Sequence, residues 1–269
     1  DKLLNPRLEV SLSGQALDKS SVTAGNSGFY DQGSSKVTWS LANLFGTSEL
    51  APGEGGQVSL NFSSLPGQSL IGNVNDIKLD LSITGVPVGA VGQTPVTLKE
   101  TRIVRISSQV NFSSKVLRSL GPFANYGSIP PKVGKETTYT VVLNVGNTRG
   151  DLSGTMVTLR LGQGVSWLGA QSFASENISY DAPTNTVTWD LTNLSSGTGF
   201  SSLPREVSFQ IALKPTIGQT GTAPTLVSNI ALTGRDNVTG ETVTASNPAL
   251  TTRLSSDPAF IQGDDIVVK

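Results

Sequence analysis

The sequence predicts an all-β protein made of two tandem sandwiches, the first without its opening strands. Three observations carry this. Apolar residues alternate with polar ones at period two from end to end, while helical periodicity is nearly absent. The 29 Gly and 14 Pro, with abundant Ser, Thr and Asn, supply turn chemistry between short runs. The stretch from Tyr30-Asp31 to Lys36-Val37-Thr38-Trp39-Ser40-Leu41-Ala42-Asn43-Leu44 returns as Tyr180-Asp181 to Thr186-Val187-Thr188-Trp189-Asp190-Leu191-Thr192-Asn193-Leu194, so one unit has been duplicated.

In the first unit, expected over residues 1–106, alternation marks strands at Leu8, Val10 and Leu12, at Val37, Trp39 and Leu41, at Val58, Leu60 and Phe62, and at Ile77, Leu79, Leu81 and Ile83. Val96, Leu98, Ile103 and Ile106 close the unit around Lys99-Glu100-Thr101-Arg102, whose charges suit a solvated edge. The second unit, expected over residues 107–256, opens with Val110 and Phe112 and continues with Tyr139, Val141, Leu143 and Val145. Strands follow at Val157 to Leu161, Val187 to Leu191, Val207 to Leu213, Ile230 to Leu232, and Val243 to Leu254. Seven or more short strands in the second unit, with turn chemistry between them, point to an immunoglobulin-like pair of packed sheets.

The repeat has a steady register. Tyr30 and Tyr180, like Trp39 and Trp189, lie 150 residues apart, and Gly85 and Gly234 lie 149 apart. Working back, Val10-Ser11-Leu12-Ser13-Gly14 aligns with Thr158-Leu159-Arg160-Leu161-Gly162. The strands around Val110 and Tyr139 to Val145 then have no counterpart before Leu8. An incomplete sandwich leaves backbone unpaired and invites strand addition. The sources considered are upstream repeats, a neighbouring copy, or the tail of residues 257–269. That tail carries Phe260, Ile261, Ile266, Val267 and Val268 and follows a break at Pro258, so it is expected to dock as an extra strand, in cis or onto another copy.

Composition narrows the function. The chain has neither Cys nor His, which removes disulfides, thiolate chemistry, the usual general base and the commonest metal ligand. The 19 basic and 20 acidic residues nearly cancel and are scattered, so no footprint for nucleic acid or anionic lipid forms. No apolar run reaches the length of a membrane span, and no signal-peptide pattern opens the chain. A start at Asp1 rather than Met is expected of a processed or trimmed product.

In Val133-Gly134, Tyr139 to Thr148, Val187-Thr188-Trp189-Asp190-Leu191 and Ser228 to Gly234 the second unit resembles the conserved-repeat family of bacterial and archaeal surface proteins called domain of unknown function eleven. Both units look similar to the long multi-repeat envelope proteins of small-genome bacteria. The resemblance implies tandem β-sandwich modules on exported envelope proteins, with no catalytic residues.

Several residues invite a chemical role. Trp39 and Trp189, flanked by Val and Leu mid-strand, are expected in the core, whereas Trp167, beside the Gly162-Gln163-Gly164 turn, is the candidate ligand-contacting aromatic. Asp236-Asn237, Asp257, Asp264 and Asp265 offer oxygens to calcium, yet none lies in an alternating acidic loop closed by Glu, so solvated turns are the default and no cofactor is expected. Lys115 and Asn247 are candidates for a spontaneous Lys–Asn amide bond, which requires both to be buried beside a carboxylate. Glycosylation sequons at Asn61, Asn111, Asn177, Asn193 and Asn237 arise by chance in so polar a chain. The expectation is therefore a non-enzymatic structural module of the cell envelope: a stalk, spacer or filament subunit associating with other copies or repeats through strand complementation. The alternative is an adhesin or a carbohydrate- or receptor-binding module that uses sandwich-end loops.

Overall fold

The computed structural model describes residues 2–46, 48–66, 76–89 and 94–269, and these form two units that divide between Ile106 and Ser107. Unit 1 contains β1 (Leu3–Ser13), β2 (Leu17–Ala24), β3 (Phe29–Asp31), β4 (Lys36–Ser40), the single helical turn α1 (Leu41–Phe45), β5 (Glu49–Leu50), β6 (Leu60–Ser64), β7 (Asp76–Pro87) and β8 (Val96–Arg105). Unit 2 contains β9 (Val110–Leu117), β10 (Thr137–Asn147), β11 (Leu152–Leu161), β12 (Val165–Gln171), β13 (Asn177–Asp181), β14 (Thr186–Leu194), β15 (Arg205–Leu213), β16 (Thr225–Asp236), β17 (Thr242–Asn247) and β18 (Leu250–Thr251).

In unit 2 a four-stranded sheet, β12-β15-β10-β9, packs on a sheet ordered β13-β14-β11-β16-β17, with β18 beside β16. The inward residues of both sheets fuse into one core: Tyr139, Val141, Leu143 and Val145 of β10 meet Val157 and Leu159 of β11 and Trp189 of β14. The Trp189 indole N–H, which would be costly to bury unpaired, donates to Glu176 Oε2 at 2.8 Å. Glu176 in turn takes a two-pronged contact from Arg205, at 2.7 and 2.6 Å. Burial opposes the charge on Glu176, but Arg205 and then Trp189 outweigh it and hold the carboxyl below its ordinary range.

Strand β10 departs from simple alternation, because Thr138 and Thr140 on its outward face are as buried as its apolar residues. The connection between β9 and β10 folds back over that face. Within it Tyr126 N–H donates to Thr138 Oγ1 at 2.7 Å, and Asn125 Nδ2 donates to Thr140 Oγ1 at 2.9 Å. A threonine-rich outer face thus reads as solvated in sequence and is covered in the fold.

Unit 1 follows the same plan with fewer strands. Its main sheet runs β3-β4-β1-β7-β8, with β5 beside β1, and among the described residues only β2 and β6 form the second sheet. Residue pairings fix the equivalence with unit 2. Leu8 lies opposite Trp39 and Val10 opposite Val37, as Val157 lies opposite Trp189 and Leu159 opposite Val187. Leu12 therefore corresponds to Leu161, one residue away from the alignment expected from sequence. That alignment holds at Gly14 and Gly162, which occupy the same turn, and Ser13 is the extra residue between. Both glycines are required by close approach: a Cβ would come within 2.3 Å of Asp76 O at Gly14 and 1.9 Å of Thr225 O at Gly162.

A second difference falls in the repeated motif. Residues Leu191 to Leu194 continue β14 and pair with β11, Leu194 opposite Leu152, whereas Leu41 to Phe45 turn into α1. The place opposite Leu3 is taken instead by Leu50 of β5, and Gly46 in the left-handed region at φ 69° ends the helical turn.

Two aspartates tie the ends of unit 2 together. Asp236, fully buried at the end of β16, accepts N–H groups from Ser108 (2.5 Å), Val238 (2.7 Å) and Thr239 (3.0 Å). Asp257 accepts those of Arg118 (2.5 Å), Ser119 (2.7 Å) and Ala259 (3.0 Å) together with the Ser119 hydroxyl. Burial pushes both carboxyls upward, but the converging donors win and hold them below the ordinary range. A pKa lowered by folding stabilises the fold above the unfolded value and is lost as pH falls through the folded one. Asp236→Ala is expected to destabilise unit 2 by about 2 kcal/mol at neutral pH. In chemical denaturation followed as a function of pH, the variant should lose less stability than the parent below about pH 4.

Candidate functional site

The lead site is the side of unit 1 that β9 and β10 cover in unit 2. β2 and β6 correspond to β12 and β15, so the outer edge of β6, where β10 would pair, has no strand partner among the described residues. Side chains report the same deficit. Leu60 and Phe62 stand where Phe209 and Ile211 do in unit 2; the latter are fully buried, whereas Leu60 and Phe62 keep part of their surface in solvent.

Opposite β6, the main sheet is also uncovered. β8 is exposed along its whole length, with Leu98 at 69% and Val104 at 41% exposure. Leu98 pairs with Ile83 and Ile83 with Leu8, so the three sit side by side on the inner face. Together with Leu81, Lys99 and Glu100 they line an open depression of about 250 Å³. In unit 2 the place of Glu100 is held by Asn247, whose amide donates to Phe112 O of β9 at 3.3 Å. On β8, Glu100 instead pairs with Arg102 on its own strand at 2.5 Å. On the other face Thr101 Oγ1 donates to Asp80 at 2.6 Å, and Lys78 and Thr101 hold that carboxyl below its ordinary range.

A second concavity of about 490 Å³ lies at one end of unit 2. It is lined by Arg118, Phe123, Asn125, Ile129, Leu254 and Phe260, from the β9–β10 connection and the tail. The Arg118 Nε there is buried without a hydrogen-bond partner.

The residues singled out by sequence fall as follows. Trp167 is half-buried on β12, stacked on Tyr180 at 5.9 Å and tilted against Phe209 at 4.9 Å, so one ring face is engaged by its own domain. The tail of residues 257–269 packs on unit 2. Val267 is buried and exchanges backbone hydrogen bonds with Gly221 and Thr222, while Val268 bridges to Pro131 and Val133. Phe260 packs against the core, Ile266 is half-buried and Ile261 is exposed. Asp236 and Asp257 spend their oxygens on N–H donors, Asp264 accepts Ile261 N–H at 3.1 Å, and Asp265 meets Arg253 at 3.3 Å. Among the described residues no group of acidic side chains converges on a metal position. The Lys115–Asn247 pairing does not fit the amide-bond chemistry: Lys115 is exposed, on the face of β9 that points away from the core, and that reaction needs the amine desolvated. Sequence reasoning missed the cleft, because the segment between β9 and β10 carries no periodicity that would place it.

No family model matches this chain, and no curated protein matches its sequence. The resemblance at Val133-Gly134, Tyr139 to Thr148, Val187 to Leu191 and Ser228 to Gly234 therefore rests on those residues alone. Solved structures give distant likenesses. The C-terminal domain of the Streptococcus pyogenes antigen I/II-family protein AspA is 11% identical, with 92% of this chain and 84% of that one covered and a TM-score of 0.30. The full-length major pilin SpaD from Corynebacterium diphtheriae is 9% identical, with 93% and 61% covered and a TM-score of 0.33. The collagen adhesin of S. aureus is 11% identical, with 91% and 80% covered and a TM-score of 0.28. None of these superpositions is close enough to transfer a function. Among the described residues no helix is long and apolar enough to cross a membrane.

The unequal cover of equivalent positions has a measurable consequence. Ile211→Ala should cost about 2–5 kcal/mol and Phe62→Ala about 1 kcal/mol, because the latter already meets water and leaves little cavity. Denaturant titrations of the two variants against the parent check this.

Proposed function

We propose that the chain is a non-enzymatic structural module of an exported cell-surface protein, a spacer or filament subunit whose first sandwich is completed by β-strands supplied from outside it. The observation that supports this is the half-exposed inner face of β6 beside its unpaired edge, at positions that unit 2 buries fully. Water on such a face costs free energy in proportion to its apolar area, and an added strand recovers it while pairing the free backbone groups.

Unit 2 defines what the added segment must look like. β10 runs antiparallel to β15 and sends Tyr139, Val141, Leu143 and Val145 inward at alternate positions. A second copy's own β10 is committed to its unit 2, since each chain carries one such strand pair and two faces to cover. The tail is a poorer donor in the arrangement observed, with the backbone of Val267 and Val268 already bonded within unit 2. Further repeats of the same kind fit best, and the partner is of the chain's own type rather than a nucleic acid or a bilayer.

Grafting residues 107–151 directly ahead of Leu3, the counterpart of Leu152, tests the reading. The graft should raise the melting temperature of unit 1 by several degrees and slow amide exchange at Leu60 and Phe62. Unchanged exchange at those amides would sink it.

One observation favours a second reading, ligand capture by an adhesin: the cleft at the end of unit 2, with its unpartnered Arg118 Nε. Capture there predicts glycan-array binding that Phe123→Ala abolishes and Trp167→Ala preserves.

A further inference from the structure

The edge of unit 1 opposite β6 is unusual in its own right. β8 runs ten residues at the end of its sheet, all of them exposed, and among the described residues its outer row of backbone donors and acceptors has no strand partner. Charges along an edge ordinarily deter pairing with another chain. Here their spacing does the reverse in one arrangement only.

We propose that β8 is a self-complementary interface at which a second copy of this chain pairs antiparallel about a two-fold axis at Thr101. In that register Glu100 of each copy lies opposite the partner copy's residue 102, an arginine, so two cross-strand ion pairs form. Leu98 lies opposite residue 104 of the other copy, a valine, which covers two exposed apolar side chains of unit 1. Thr97 meets an arginine and Lys99 an isoleucine, so no like charges stand face to face.

Sliding the pairing by two residues in either direction sets Glu100 against its own copy or Arg102 against its own copy, and the second of these also brings Lys99 against Arg105. Like charges directly opposite are destabilising, so both neighbouring registers are disfavoured, and among registers that keep the inner faces together only the one centred on Thr101 sets Glu100 against Arg102. The two-fold axis keeps both inner faces on the same side, joining the Leu8, Ile83 and Leu98 clusters of two copies across the seam. Because the interface is isologous it closes at two copies and does not propagate. It uses a different edge from β6 and stands independently of strand complementation.

Sedimentation equilibrium of the full chain should show a monomer–dimer equilibrium weakened by salt. Glu100→Arg and Arg102→Glu should each raise the dissociation constant about tenfold, and the double exchange should restore it. Since the chain has no cysteine, Thr101→Cys introduces the only thiol, placed on the axis, and mild oxidation should yield a covalent dimer, unlike Ser20→Cys on β2. A chain that stays monomeric at every concentration overturns the proposal, as does a charge exchange that fails to restore pairing. Self-association that ignores these charges and vanishes with Leu60→Asp would also overturn it, while leaving strand complementation at β6 standing.

Discussion

An apolar sheet face must be covered, and most of this molecule can be derived from how its two halves meet that requirement. In unit 2 β10 lies across the middle of the core, its inward residues closed off by β11, β14 and β15 and its outward threonines by the segment that precedes it. With that strand in place, Phe209 and Ile211 lose all contact with water, and the Trp189 indole and the Ser108 and Arg118 amides are answered by Glu176, Asp236 and Asp257. The match is incomplete, since the Tyr139 hydroxyl and Thr155 Oγ1 are buried without a hydrogen-bond partner among the described residues.

Unit 1 shows the same sequence logic with the central covering strand left out. Its Trp39 is as buried as Trp189, and its indole N–H finds the carbonyl of Gly25 at 2.8 Å in place of a carboxylate. The half of the core around β1, β2 and β4 is therefore sound. The other half, from β6 across to β7 and β8, has no covering layer among the described residues. The asymmetry lies in what β6 and β8 can still accept, and it separates two kinds of association: one fills the gap between the sheets, the other extends a sheet at its edge. Both rely on backbone pairing, and side-chain pattern sets their register.

Neither mode needs catalytic chemistry, and the composition agrees. A chain without Cys or His has few ways to move a proton or hold a transition metal near neutral pH, and the buried Asp236 and Asp257 are engaged by backbone donors. Their depressed pKa values mark structural anchors: three or four donors converge on each, which stabilises the anion.

The duplication, the absent counterparts of β9 and β10 and most strands can be read from the chain alone, because period-two alternation and a repeat near 150 residues are local signals; β2, β5, β12 and β13, short or weakly alternating, escape that reading. The chain alone did not determine the one-residue offset at Ser13, the turn of α1 where its repeat partner stays extended, or the burial of Thr138 and Thr140. Each depends on what a distant segment places alongside: β5 against Leu3, or the loop around Tyr126 against β10. Likewise Lys99 to Arg102 read as a solvated edge in sequence, and it takes the folded sheet to show that β8 is exposed on both faces, with apolar neighbours beside its charges. Alternation says which face a residue shares; whether that face is covered depends on strands far away in the chain, and no local pattern encodes their presence.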